Sequence, residues 1–319
     1  MRRILVTGAA GQIGSELTPE LRRRYGGENV VASDIRRPGA GMEASGPFEM
    51  LDVTDGGRMR EVVEEHDIDS IFHLAAVLSA AGERRPHLAW RVNMDGLYNV
   101  LEVARELELT RVFFPSSIAA FGPETPREMT PQETVMRPKT IYGITKVAGE
   151  LLCDYYFRRF GVDVRGVRYP GIISNVAPPG GGTTDYAVEM FYAAVKFKRY
   201  VCYVREETVL PMMYMPDCIG VAVDLMEADL SKLRHHGDYN VAGMSFSAGE
   251  LAAEIRKHIP EFQVEYKPDY RQKIADSWPR SIDDSAARED WGWRPRFDLA
   301  SMTSDMLEKL RRRYEEGRL

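Results

Sequence analysis

This sequence predicts an α/β fold, a Rossmann-type doubly wound parallel sheet with a smaller mixed α/β substrate-binding lobe, on three observations. A buried-strand run, Arg3-Ile4-Leu5-Val6, ends in the glycine-rich turn Thr7-Gly8-Ala9-Ala10-Gly11-Gln12-Ile13-Gly14 and opens into a helical pattern. An acidic residue, Asp34, closes a second strand-like run twenty residues after Gly14. Strand and helix patterns then alternate with short connections as far as Tyr169, which specifies parallel strands joined by crossover helices.

In order, Ile13 to about Arg24 reads as the first helix, with Pro19 expected to kink it. Gly8 permits the tight turn, Gly11 lets backbone approach a pyrophosphate, and Gly14 lets the helix pack on the sheet, with the helix N-terminus facing the phosphates. Asn29–Asp34 is the second strand. A carboxylate at its end accepts hydrogen bonds from the adenosine ribose hydroxyls and repels a 2′-phosphate, which favours NAD. Arg36 and Arg37 follow directly and could bind such a phosphate, so NADP stays open. Phe48–Val53 is the third strand, where Asp52 is placed to meet an adenine or merely to cap the strand end. Ile68–Ala76 is the fourth, and the small residues closing it let a cofactor lie against backbone; His73 reads as a packed strand histidine. The candidate cofactor contacts are Gly8, Gly11, Gln12, Ile13, Gly14, Asp34, Ile35, Arg36, Asp52, Val53, Leu74, Ala75, Ala76, Asn93, Tyr142, Lys146, Tyr169 and Ile172.

A long helix over about Leu88–Leu107 holds Asn93, and Arg111–Ser116 is the fifth strand. The helix carrying Tyr142 runs to about Phe160, closed by Gly161 as a left-handed cap, and leads to a sixth strand, Val162–Tyr169. There the alternation stops. Val176–Asp185 is a Pro- and Gly-rich loop, read as a mobile substrate loop with Thr183, Thr184 and Asp185 capping a helix from Tyr186 to about Lys196. No Lys-Ser/Thr follows its triple glycine, so a P-loop is not expected. Leu210–Asp217 leads into an apolar helix, Tyr239–Ala242 reads as a strand, and Ser247 with Glu250 forms a capping box for a helix to His258. A last helix spans about Ser301–Glu316. On this reading residues 1–170 form the NAD-binding domain, with returning segments near 210–245, and 171–319 are mainly the substrate lobe.

Composition narrows the function. With 42 basic and 48 acidic residues in 319, a net charge of −6 argues against a general nucleic-acid binder. No run approaches the ~18 apolar residues of a membrane span. Cys153, Cys202 and Cys218 are far apart and read as buried thiols of a reducing compartment, the cytoplasm. The histidines show no ligand spacing with Cys or carboxylates, so no metal is expected.

The chemistry concentrates in Thr140–Glu150. Tyr142 and Lys146 sit four residues apart and share one helix face, where a fixed ammonium favours phenolate and makes the phenol a base. Spacing alone is weak, because Tyr192 and Lys196 repeat it. Only Tyr142 has a hydroxyl-bearing strand end, Ser116-Ser117, and a glycine-rich signature upstream.

With the glycine signature, Asn93, Ser117 and Tyr142/Lys146 in this order, the chain resembles the extended short-chain dehydrogenase/reductases, which include the UDP-sugar epimerases. Within them it is similar to the short-chain L-threonine 3-dehydrogenase branch through Ser45-Gly46-Pro47-Phe48, Leu78-Ser79-Ala80, Arg137–Gly143, Arg168–Ser174, Gly180–Ala187, Leu210–Tyr214 and Ile274–Pro279. The resemblance implies NAD-dependent oxidation of L-threonine to 2-amino-3-oxobutyrate in threonine catabolism. It also implies Ser117, Tyr142 and Lys146 as the catalytic residues, with Ser79, Ser117, Tyr142, Thr184 and Trp278 meeting the substrate. A homodimer through the helices near 88–107 and 141–160 is expected on the same ground. An NDP-sugar 4-epimerase, which shares Ser117, Tyr142 and Lys146, is the alternative; a dehydratase is disfavoured because Ile118-Ala119, not Asp-Glu, follow Ser117.

Overall fold

The computed structural model describes residues 1–178 and 180–319, and of Ala40 the backbone alone; Pro179 of the expected 176–185 loop lies outside the described residues. Twelve strands are described: β1 (Ile4–Thr7), β2 (Val30–Asp34), β3 (Phe48–Met50), β4 (Ser70–His73), β5 (Arg111–Ser117), β6 (Val164–Tyr169), β7 (Gly171–Ile173), β8 (Arg199–Cys202), β9 (Val209–Tyr214), β10 (Tyr239–Asn240), β11 (Met244–Ser247) and β12 (Gln263–Tyr266). Seven of them form a parallel sheet in the order β10-β6-β5-β4-β1-β2-β3. Its central strands are short and buried on both faces, as helix-covered parallel sheets require. The order reverses at β1, whose neighbours are β2 on one side and β4 on the other. The crevice beyond the carboxyl ends of β1 and β4 is therefore where an open α/β sheet binds its ligand.

A smaller three-stranded sheet, β11-β9-β7, and a parallel pair, β12-β8, make up the remainder. These pairings were not visible in the sequence. The strand predicted at 239–242 is shorter, Tyr239–Asn240, and extends the large sheet beside β6.

The helix that carries Tyr142 spans Ile141–Phe160. Thr140 caps it by accepting from the Gly143 amide at 3.1 Å, and Gly161, at φ 73°, closes it in the left-handed conformation as expected. A side chain at Gly143 would overlap the Ala119 carbonyl, so this glycine lets the helix start press directly on the turn that follows β5. The capping box at Ser247/Glu250 is present on the helix Ala248–His258.

Three expectations need correction. The helix Gly14–Tyr25 runs through Pro19 without a break, and Pro19 faces solvent. The predicted Leu88–Leu107 helix is really Pro86–Trp90, a π-helical turn at Arg91–Asp95 and Gly96–Glu106. That turn is one extra residue of winding, which hydrophobic periodicity does not resolve. Asp185 does not cap the helix Tyr186–Phe197 with its side chain; its carboxylate turns back and accepts from the amides of Gly181 (2.9 Å) and Gly182 (2.7 Å). Among the described residues, no helix is long and apolar enough to cross a membrane.

Candidate active site

A cavity of about 320 Å³ opens at the carboxyl ends of the strands and joins two sets of residues that are far apart in sequence. At one end lie Gly8, Gly11, Gln12, Ile13, Gly14, Arg36, Leu74 and Ala76; at the other lie Ser79, Ser117, Tyr142, Lys146, Thr184 and Trp278, with Tyr169 and Ile172 along the wall.

The glycine end is a cradle of bare backbone. Gly8 sits at φ 69°, and a Cβ there would come within 2.7 Å of the Ala75 amide nitrogen; one at Gly14 would come within 2.6 Å of the Ala9 Cα. No other residue type fits either place, so strand, turn and helix meet with no side chain between them and a pyrophosphate. Asp34 steadies this turn: one carboxylate oxygen accepts from the Ala10 amide at 3.0 Å, the other from the Arg36 amide at 3.0 Å. The Gln12 side chain crosses the cavity to donate to the Ile172 carbonyl (3.2 Å) and the Ser174 hydroxyl (2.9 Å).

Asp34, Ile35, Asp52, Val53, Ala75 and Asn93 do not line the cavity. Ile35 is 63% exposed. Asp52 accepts from both the amide and the hydroxyl of Thr54, the simple strand-end cap. Asn93 accepts from the Val77 amide at 2.8 Å and donates to the Val77 carbonyl and the Thr145 hydroxyl, each at 3.1 Å. It thereby ties the segment after β4 to the Tyr142 helix. His73 is packed as expected: its Nδ1 lies 2.9 Å from the Thr7 hydroxyl, and burial lowers its pKa to about 3.

At the other end, the buried Lys146 ammonium donates to the Pro115 carbonyl at 2.6 Å and lies 4.9 Å from the centre of the Phe114 ring and 5.3 Å from that of Tyr142. Burial lowers Lys146 to about 8. The expected acidified phenol is not found in the chain alone. Burial pushes Tyr142 up to about 12, and the Ser117 hydroxyl pulls the other way. The physical reason is loss of solvent, which penalises the charged phenolate.

The 180–185 segment completes the wall with Gly180, Gly182, Thr183, Thr184 and Asp185. Ser79 is 2% exposed, lies 3.0 Å from the Thr183 hydroxyl and accepts from the Thr183 amide at 3.2 Å, so it latches this segment as well as lining the cavity. Trp278 is buried at 4% with its ring on the cavity wall.

Residues 4–242 match the family described as the NAD dependent epimerase/dehydratase family. The chain belongs to this family. NAD is its cofactor, and the glycine cradle has the shape to take it. A GalE-like L-threonine dehydrogenase of Cupriavidus necator in its holo form is 55% identical, over 97% of this chain and 99% of that one, with a TM-score of 0.94. A monomeric L-threonine 3-dehydrogenase from a metagenome is 52% identical over 97% and 99%, with a TM-score of 0.94. An uncharacterised epimerase/dehydratase of Staphylococcus haemolyticus is 52% identical over 312 residues, 97% of this chain and 98% of its own.

Two features of this family member escaped the sequence reading. Asp185 was taken for a helix cap, although two glycine amides just upstream are a usable signal for a carboxylate held over a loop. His66 and His235 are among the histidines that showed no ligand spacing in the sequence, yet each stands beside two carboxylates, Glu49 with Glu65 and Glu133 with Asp238. In the first cluster Arg58 already pairs with both glutamates.

Proposed function

We propose that the protein oxidises the 3-hydroxyl of L-threonine to 2-amino-3-oxobutyrate. The observation that carries this reading is Asp185, a buried carboxylate in the same cavity as Tyr142. It supplies an anionic partner for the substrate ammonium. At that end Lys146 is the one cationic side chain on the wall among the described residues, and it already binds Pro115. A nucleotide-sugar diphosphate would meet a carboxylate there and no free cation, which disfavours the 4-epimerase alternative. The identities to L-threonine dehydrogenases support the same reading.

In this account Tyr142 takes the proton of the substrate hydroxyl, Ser117 hydrogen-bonds the reacting oxygen, and Lys146 contributes positive charge. Ser79, Thr184 and Trp278 border the amino-acid end with Asp185. NAD, when bound, supplies the acceptor for the hydride and a cationic ring beside the phenol. Assaying NAD reduction with threonine, serine, 3-hydroxybutyrate and UDP-galactose tests the proposal. Threonine should be oxidised fastest; reduction of NAD with none of the four, or retention of a UDP-sugar by the purified protein, would overturn it.

A homodimer is part of the proposal. Leu88, Trp90, Tyr98, Leu151 and Tyr155 are between 40% and 64% exposed on the helices between 86 and 106 and on Ile141–Phe160. An apolar set of this kind on neighbouring helices suits a self-complementary contact. Light scattering should report a dimer for the wild type and a monomer for Leu151→Arg. Because one relative is described as monomeric, a monomeric wild type would place this chain with that relative and end the dimer proposal.

A further inference from the structure

The Tyr142 helix carries a third buried ionisable group that the reaction above leaves without a role. Glu150 lies four residues beyond Lys146 and eight beyond Tyr142, so the three share one face. Its carboxylate is gripped from two strands. Arg168 of β6, 2% exposed, donates Nε to Oε1 at 3.0 Å and Nη2 to Oε2 at 2.9 Å. The hydroxyl of Ser116 on β5, the residue before Ser117, donates to Oε1. The remaining guanidinium donors reach the Gln132 carbonyl (2.8 Å), the Asn240 side-chain oxygen (3.1 Å) and Asp238 (3.4 Å).

We propose that Glu150, held by Arg168 and Ser116, is a positioning residue that keeps the Lys146 ammonium charged and the Tyr142 helix registered on the ends of β5 and β6. This rests on the reading of Tyr142 and Lys146 as the acid–base pair.

An ammonium removed from water sheds its proton unless an anion stands near. The titratable groups around Lys146 are few. His73 on β4 is neutral, since burial holds its pKa near 3. Tyr142 is a neutral phenol in the chain alone, pushed up to about 12. Cys153, further along the same helix, is pushed well above an ordinary thiol by burial and is neutral as well. Against burial, Lys146 is raised first by Cys153 and then by Glu150; with the Cys153 thiol neutral, the anion is Glu150, one helical turn along the same face. Burial also pushes the Glu150 carboxyl up, while the Arg168 charge and the Ser116 hydroxyl pull it back. Arg168 cannot be deprotonated, so its bidentate grip keeps Glu150 ionised.

Glu150→Gln alone strands a buried guanidinium and could unfold the chain, so the decisive variant is Glu150→Gln/Arg168→Met, since neutralising both partners of a buried pair is far better tolerated. The Nζ shift of lysine-labelled protein, assigned with Lys146→Arg, reports the Lys146 titration directly. The midpoint should fall by about one pH unit in the double variant, and the alkaline limb of threonine turnover should move with it. A folded double variant with an unmoved Lys146 midpoint overturns the proposal, whatever happens to turnover or melting temperature. A midpoint that moves in a protein that never oxidises threonine upholds it and sinks the threonine reading instead.

Discussion

Tyr142→Phe is expected to leave a folded protein that binds NAD with nearly wild-type affinity yet oxidises threonine roughly 10²–10⁴-fold more slowly. The ring itself stays, so the packing of Tyr142 against its neighbours and the helix start at Thr140 are preserved. The atom removed is the one placed to take the substrate proton. In the chain alone that oxygen is a poor base, because burial raises the phenol to about 12. The base is therefore made only when positive charge gathers around it, and turnover should rise with pH through the apparent Tyr142 pKa of the loaded enzyme. Parallel NAD titrations and initial rates decide the matter: near wild-type turnover in the phenylalanine variant removes Tyr142 from its assigned role.

Asp185→Asn should raise the KM for threonine by about two orders of magnitude, as expected when a buried charge-assisted contact is lost. Burial raises the Asp185 carboxyl to about 6, with the Gly182 and Gly181 amides pulling against that rise. Only the ionised form attracts an ammonium, so the wild-type KM should fall as pH rises through about 6 and level off above it. The asparagine variant should lack that inflection. Stability moves the opposite way. A carboxyl with a raised folded pKa stabilises the fold below its unfolded value, and that contribution is lost as pH rises through about 6. Asp185→Asn should consequently melt higher than wild type at pH 8 and show no such gain at pH 4. A KM that stays pH-independent across 5 to 7 in the wild type would remove Asp185 from the site.

The outcome at particular residues shows why some of this was legible in advance. Gly8, Gly11, Gly14, Tyr142 and Lys146 were identified from spacing, and Ser117 from the resemblance; all line one cavity, since each is tied to the end of a strand or the first turns of a helix, where short-range pattern fixes geometry. Asp52, expected at the adenine or as a strand-end cap, is bonded to Thr54, and Asn93, expected at the cofactor, is bonded to Val77 and Thr145. A polar residue near a binding crevice has several partners in reach, and sequence does not rank them. Asp185 was misread for the same reason.

The sequence by itself determined the alternation of parallel strands and helices up to Tyr169, the glycine-rich turn and the shared face of Tyr142 and Lys146, because periods of two and 3.6 and the absence of a Cβ are properties of neighbours along the chain. Tertiary structure alone decided that β10 returns beside β6, that the 180–185 segment latches onto Ser79, and that Arg168 closes on Glu150. Those contacts join residues 18 to 104 positions apart in the chain. Their geometry exists only once burial has stripped away the water that each group would otherwise prefer.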